Sequence, residues 1–357
     1  MDRPRPANSV CARIVSPRLS VLLVIAAVLA ASVLFGIVYQ AIGTARDRGR
    51  FPPLGRLVDI GGRRVHFLDR GQGSPAVVFE SGLSASSLNW THLHADVSQF
   101  TRACAYDRAS LGWSDSLEAP RTAAQLIADL HAMLVASGIP GPYVLVAHSF
   151  GSLLVGLYAA KYPQEIAGVI MIDPLSPQDW LNPTEVQSKM LRHGAALARR
   201  GAWLARIGVV RFALSLLTGG ARRVPKSIAR LTSGRGESVI SRLVGEVGKM
   251  PSEVWPIIQA QWCQPKSFHG LAGALESLPA ISAEAARSEL PASVPLTILS
   301  AKNSIPAQAA ERESLVGRSV RGRHIIAEKS GHWIHLDEPA LVIAEIRAMV
   351  EAARPTV

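Results

Sequence analysis

The chain has 357 residues, a formal net charge of +11 and three cysteines. So few cysteines, one of them ahead of an apolar N-terminal span, exclude a disulfide framework. No internal repeat or low-complexity segment is present, and no recognised nucleic-acid module accompanies the basic surplus, which argues against a nucleic-acid partner.

The N-terminus opens with a basic tail over residues 1–18 that carries Arg3, Arg5, Arg13 and Arg18. From Leu19 to Ala45 no residue is charged, and Val21–Val38 is almost wholly apolar. At about 1.5 Å per helical residue this segment crosses the ~30 Å hydrocarbon core. It exceeds the ~7–15 apolar residues of a secretory signal, so a transmembrane signal anchor over 19–45 is expected, with cleavage near Gly43-Thr44-Ala45 as the alternative. Arg46, Arg48, Arg50 and Arg56 follow the span, so its flanking positive charges are balanced and do not set the orientation. A basic stretch before a single span most often places the following domain outside, in the periplasm or extracellular space. Residues 46–55 read as a short charged, proline-containing linker.

The next apolar run, Ala76–Phe79, predicts a strand leading into the loop Glu80-Ser81-Gly82-Leu83-Ser84. Another strand ends in Ala105-Tyr106-Asp107-Arg108, where Asp107 and Arg108 read as a structural ion pair or turn-fixing group. After the apolar stretch Tyr143–Ala147 comes His148-Ser149-Phe150-Gly151, which reads as a nucleophile elbow. In such a turn a strand reverses into a helix, and the serine is held exposed beside the next backbone N–H. Ala147 and Gly151 supply the small flanking residues. By strand alternation His148 points away from Ser149 and reads as packed or hydrogen-bonded behind the site. Ala167–Ile172 is a further strand, ending at Asp173. A stretch from about Leu175 to Leu290 follows, in which Ala195–Leu217 has the periodicity of an amphipathic helix. The strand Leu296–Ser300 precedes a loop that contains Asn303 but no carboxylate until Glu311. The final motif, Ser330-Gly331-His332-Trp333-Ile334-His335-Leu336-Asp337, sits before a terminal helix for which Asp337 reads as the cap.

Together the elbow, the His332 loop and the run Tyr106-Asp107-Arg108-Ala109-Ser110-Leu111-Gly112-Trp113-Ser114-Asp115 resemble the α/β-hydrolase superfamily. The resemblance covers most of 56–174 and 291–357. It implies an α/β fold: an eight-stranded, mostly parallel sheet with flanking helices, formed by 56–174 and 291–357, with 175–290 inserted as a helical cap. His332 takes the position of the catalytic histidine, and Ser149 that of the nucleophile. The acid lies between them in chain order. A carboxylate after the sixth strand replaces the usual one after the seventh in several branches, which favours Asp173 over Asn303 as the partner of His332. Phe150 N–H and Leu83 N–H are the expected oxyanion donors, Gly82 allowing close backbone approach. Ser81 stands where many relatives have histidine, and Ala147 where glycine is more usual.

The resemblance further implies ester hydrolysis through an acyl-Ser149 intermediate, without cofactor or metal, on a small-molecule or lipid ester. Ser149 stands where epoxide hydrolases and haloalkane dehalogenases have aspartate, and residues 176–290 contain no tyrosine to activate an epoxide. Carbon–carbon, thioester or amide cleavage and acyl transfer use the same triad and remain alternatives, as does a non-catalytic binding protein on the same fold. The stretch 176–290 holds 15 Lys/Arg against 8 Asp/Glu. A basic, partly apolar cap near a membrane span suits contact with anionic lipid as well as an ordinary lid.

Overall fold

The structure is a computed structural model that describes residues 17–117, 119–218 and 247–354. Most of the basic tail and residues 219–246 of the expected cap lie outside the described residues. Eight strands form one sheet: β1 Arg56–Asp59, β2 Arg64–Arg70, β3 Ala76–Glu80, β4 Ala103–Tyr106, β5 Tyr143–His148, β6 Ile166–Ile172, β7 Leu296–Ala301 and β8 Gly322–Ala327. Their order is β1-β2-β4-β3-β5-β6-β7-β8. Only β2 runs against its neighbours; the other pairs are parallel. This is the α/β-hydrolase fold.

Parallel strands covered on both faces lose the polar alternation of half-exposed ones, which is why β3 and β5 read as continuous apolar runs. Alternation survives as a division of labour. Val78, Leu145 and Met171 enter a core with helices α3 (Ala123–Ser137) and α4 (Gly151–Lys161). Val77, Val144 and Ile170 enter the opposite core. That core is closed by α2 (Thr91–Val97) and by the terminal helix α12 (Pro339–Ala353).

Between β6 and β7 the described insertion contains α5 (Gln178–Leu181), α6 (Glu185–Arg206), α7 (Val209–Thr218), α8 (Trp255–Trp262) and α9 (Pro265–Arg287). The single helix expected over Ala195–Leu217 is two helices, broken at Ile207-Gly208. Gly208 has φ 76°, and its backbone lies so close to Gly36 that a Cβ there would sit 2.5 Å from the Gly36 carbonyl oxygen. The break is imposed by an N-terminal helix distant in sequence, so local periodicity did not show it.

That N-terminal helix, α1 (Pro17–Arg50), contains a stretch of mean hydropathy 3.0 with none of it buried, long and apolar enough to cross a membrane. It continues through Arg46–Arg50, leaving a linker of only residues 51–55. Arg48 and Arg50 in its last turn complement the negative end of the helix dipole. Beyond Phe35 the helix docks on the insertion: Gln40 Nε2 donates to the Cys263 carbonyl (2.9 Å), and Arg211 Nε donates to Gln40 Oε1 (2.9 Å). Arg211 also pairs with Asp47 at 2.7 Å.

Asp337 ends the short helix α11 (Ile334–Asp337) and does not cap α12. It accepts from Lys249 Nζ (2.6 Å) and Ser330 Oγ (3.2 Å), tying the His332 loop to the insertion.

Candidate active site

Ser149 sits between β5 and α4 with φ 53°, a left-handed conformation that L-residues avoid. The turn is fixed on both sides by the end of β6 and the segment after it: Ser149 N–H donates to the Ile172 carbonyl (3.0 Å), and Leu175 N–H donates to the Ser149 carbonyl (3.3 Å). The requirement for a small residue at 151 comes from β3. A Cβ on Gly151 would lie 2.8 Å from the carbonyl oxygens of Glu80 and Ser81.

Asp173 follows β6 directly, also left-handed at φ 40°. With Ser110 (φ 69°), these are the non-glycine residues of positive φ among the described residues. Such conformations cost about 1–3 kcal/mol each and persist where surrounding structure holds them. Asp173 is held firmly. Its N–H donates to the Leu299 carbonyl (2.7 Å), and its Oδ1 accepts from Ala301 N–H (3.2 Å) and Arg312 Nη1 (3.0 Å). Oδ2 faces His332 Nδ1 at 2.6 Å. A carboxylate at that distance fixes the proton on Nδ1 and leaves Nε2 as an acceptor. Burial works to raise the Asp173 pKa, but the His332 bond and charge and the Arg312 guanidinium outweigh it and hold the carboxyl below its ordinary range. The carboxylate therefore stabilises the fold above the usual aspartate pKa of about 3.9, and that contribution fades as pH falls through the lower folded value. The urea-midpoint gap between the parent protein and Asp173→Asn should accordingly shrink as pH falls below about 4; a constant gap would contradict this linkage.

Arg312, on helix α10 (Pro306–Gly317), had no signal in the sequence. It is buried beneath Asp173 and also donates to Ser300 Oγ, Ser304 Oγ (both 2.8 Å) and the Pro174 carbonyl (2.9 Å). Asn303 is exposed. Glu311, the first carboxylate after β7, accepts from Ser176.

His332 is brought to the end of β5 by its neighbour His148. His148 Nε2 lies 2.9 Å from the His332 carbonyl; a carbonyl only accepts, so this nitrogen carries the hydrogen. Their rings are 4.6 Å apart, and the tilted ring of His335 lies 4.5 Å from His148. Burial, and then the nearby imidazoles, keep His148 well below the ordinary histidine range. Burial likewise takes His335 down to about 3. Both flanking rings are thus neutral, so a positive charge developing on His332 meets no charged imidazole beside it.

Asp107 and Arg108 do not pair with each other. Asp107 binds the fully buried His66 (2.9 Å) and the N–H groups of Ser87 (2.7 Å) and Trp113 (2.9 Å). Arg108 turns to the loop after β3. It pairs with Glu80, which also accepts from Tyr106, and donates to the carbonyls of Ser81 (2.7 Å), Gly82 and Leu83 (3.0 Å). One guanidinium thereby collects consecutive carbonyls on one side of the loop. Neither Leu83 N–H nor Phe150 N–H donates to a backbone carbonyl among the described residues. Leu83 and Phe150 line a cavity of about 40 Å³ together with Gly270, Gly273, Ser277 and Ile281 of α9. A larger cavity of about 250 Å³ lies between α4, the start of the insertion and α10, and its lining includes Ser152, Ser176 and Arg312 but not Ser149 or His332. Among the described residues no group of His, Cys, Asp and Glu is arranged to hold a metal ion.

A mostly parallel eight-stranded sheet with a serine turn at the end of its central strand β5 defines the class of protein. The chain belongs to the alpha/beta hydrolase family, whose profile matches residues 77–345. It is similar to the uncharacterized protein YqjL of Bacillus subtilis (strain 168), 37% identical over 105 residues, 29% of this chain and 42% of YqjL. It is also similar to a haloalkane dehalogenase of Sphingobium indicum, 27% identical over 130 residues, 35% of this chain and 44% of that protein. The matched segment thus spans less than half of either relative. Among solved structures, a thermophilic esterase from Thermogutta terrifontis superposes with TM-score 0.58 at 18% identity, over 84% of this chain and 98% of the esterase. At that identity the likeness is one of fold.

Proposed function

We propose that the protein is a membrane-anchored serine hydrolase that cleaves carboxylic esters through an acyl-Ser149 intermediate. The observation that carries this reading is the 2.6 Å contact of His332 Nδ1 with Asp173, which follows the same end of β6 that hydrogen-bonds the left-handed Ser149. In this reading His332 Nε2 takes the Ser149 proton as Oγ attacks the ester carbonyl, and Asp173 stabilises the imidazolium. Leu83 N–H and Phe150 N–H receive the oxyanion, each donor contributing about 3–4 kcal/mol to transition-state stabilisation. The imidazolium then protonates the leaving alcohol. Water, activated by the same histidine, releases the acid.

Helices α5–α9 serve as the cap, with α9 presenting the cavity wall opposite Leu83 and Phe150. Helix α1 serves as an uncleaved anchor, the catalytic domain lying on the outer side of the membrane. Its Gln40 and Asp47 are tied to the insertion through Arg211, so cleavage near Gly43-Thr44-Ala45 would remove one side of that knot.

The test is covalent labelling of the full chain in detergent by a fluorophosphonate. The parent should label, and Ser149→Ala and His332→Ala should not. A folded parent that stays unlabelled would move the reading to a non-catalytic binding protein.

A further inference from the structure

The anchor does more than tether the domain: its length fixes which surface faces lipid. Counting from Arg18, the last charged residue before the span, about 20 helical residues are needed to cross a ~30 Å hydrocarbon core. That places the far boundary near Val38. Gly36, inside this boundary, already touches the insertion. A Cβ on Gly36 would fall 2.1 Å from the Ile207 carbonyl oxygen, at the corner where α6 turns into α7. A rigid contact at that level brings the corner to the membrane surface whatever the tilt of the domain.

The side chains around the corner match that position. Trp203 and Phe212, each 57% exposed, and Leu204 and Val209, also exposed, lie within five residues of Ile207-Gly208. The polar groups of the docking surface, Gln40, Thr44 and Asp47, lie further along α1, on the aqueous side, where Arg211 of α7 reaches them. Arg200, on α6 about two turns before the corner, is exposed and suits lipid phosphate. An apolar patch with a tryptophan at its edge and arginine above it is the composition of an interfacial segment.

We infer that the α6–α7 corner is a second membrane contact, seated in the headgroup and upper acyl region of the bilayer that α1 crosses. This rests on the anchored reading above. It holds the insertion in one orientation against the lipid, with α9 packed behind α6 and the site cavity behind α9.

The test uses the full chain reconstituted in phosphatidylcholine vesicles, with acyl chains brominated near the headgroup as a quencher of tryptophan emission. Part of the quenching should be lost in Trp203→Phe, a conservative change at an exposed position. Phe212→Asp should shift the remaining Trp203 emission to the red and weaken its quenching. Carbonate extraction of the same vesicles separates the two readings. Protein that resists extraction while Trp203→Phe leaves quenching unchanged would overturn the corner contact alone; protein released by carbonate would overturn the anchor and the corner with it.

Discussion

Under the proposed mechanism, replacing Asp173 by asparagine should lower kcat by about 10⁴-fold with little change in KM, the scale expected when a catalytic histidine is left in the wrong tautomer. The reason lies in what surrounds the carboxylate. Oδ1 already accepts from Ala301 N–H and Arg312. An asparagine at 173 has one acceptor oxygen, and those two donors claim it. Its NH₂ then faces His332 Nδ1, which must become an acceptor, moving the ring proton to Nε2. Toward Ser149 such a histidine presents a donor and cannot take a proton. Asn303→Ala, at an exposed position, should leave kcat within about twofold. Ester-hydrolysis assays of the two variants decide between them; near-parent turnover in Asp173→Asn would remove Asp173 from the mechanism.

Arg108→Met should destabilise the fold by about 3–5 kcal/mol, the usual cost of leaving one partner of a buried ion pair uncompensated. Glu80 is 1% exposed, and burial pushes its carboxyl above the ordinary range against the Arg108 charge and the Tyr106 bond that favour ionisation. Without the guanidinium, Glu80 must take a proton or stay charged with only the Tyr106 hydroxyl as partner, and the carbonyls of Ser81, Gly82 and Leu83 lose their shared donor. Lysine should restore only part of the loss, since a single ammonium cannot reproduce the planar fork. Pairing Arg108→Met with Glu80→Gln should recover more, because the uncompensated carboxylate is gone. Urea unfolding reads all of these. A loss below about 1 kcal/mol in Arg108→Met would mean that the clamp is not what holds the loop.

The central strands were legible because each is local. Ala76–Phe79, Tyr143–Ala147 and Leu296–Ser300 are short apolar runs bounded by turn residues, and each lies within the observed strand. The elbow was legible because its constraint is steric and acts within a few residues. Of the two readings of Asp107 with Arg108, the turn-fixing one fits their bonds to loop backbone, and the ion pair fails for the opposite reason. Adjacent residues on an extended chain point to opposite sides. Asp107 reaches His66 and Arg108 reaches Glu80, partners chosen by which strands lie next to β4.

The serine turn, the apolar strands and the helix long enough to cross a membrane were written in local residue patterns, because hydrophobic period and turn chemistry act over short spans of chain; the fold class and the histidine loop followed from the resemblance those motifs carry. Which side chains meet across the chain is a matter of strand order and packing. These set Asp173 against His332 across 159 residues of chain, slid Arg312 beneath them, and bent the insertion at Ile207-Gly208 around α1. The reason is that β6 lies between β5 and β7, so the end of one strand serves both neighbours. No local pattern encodes that order.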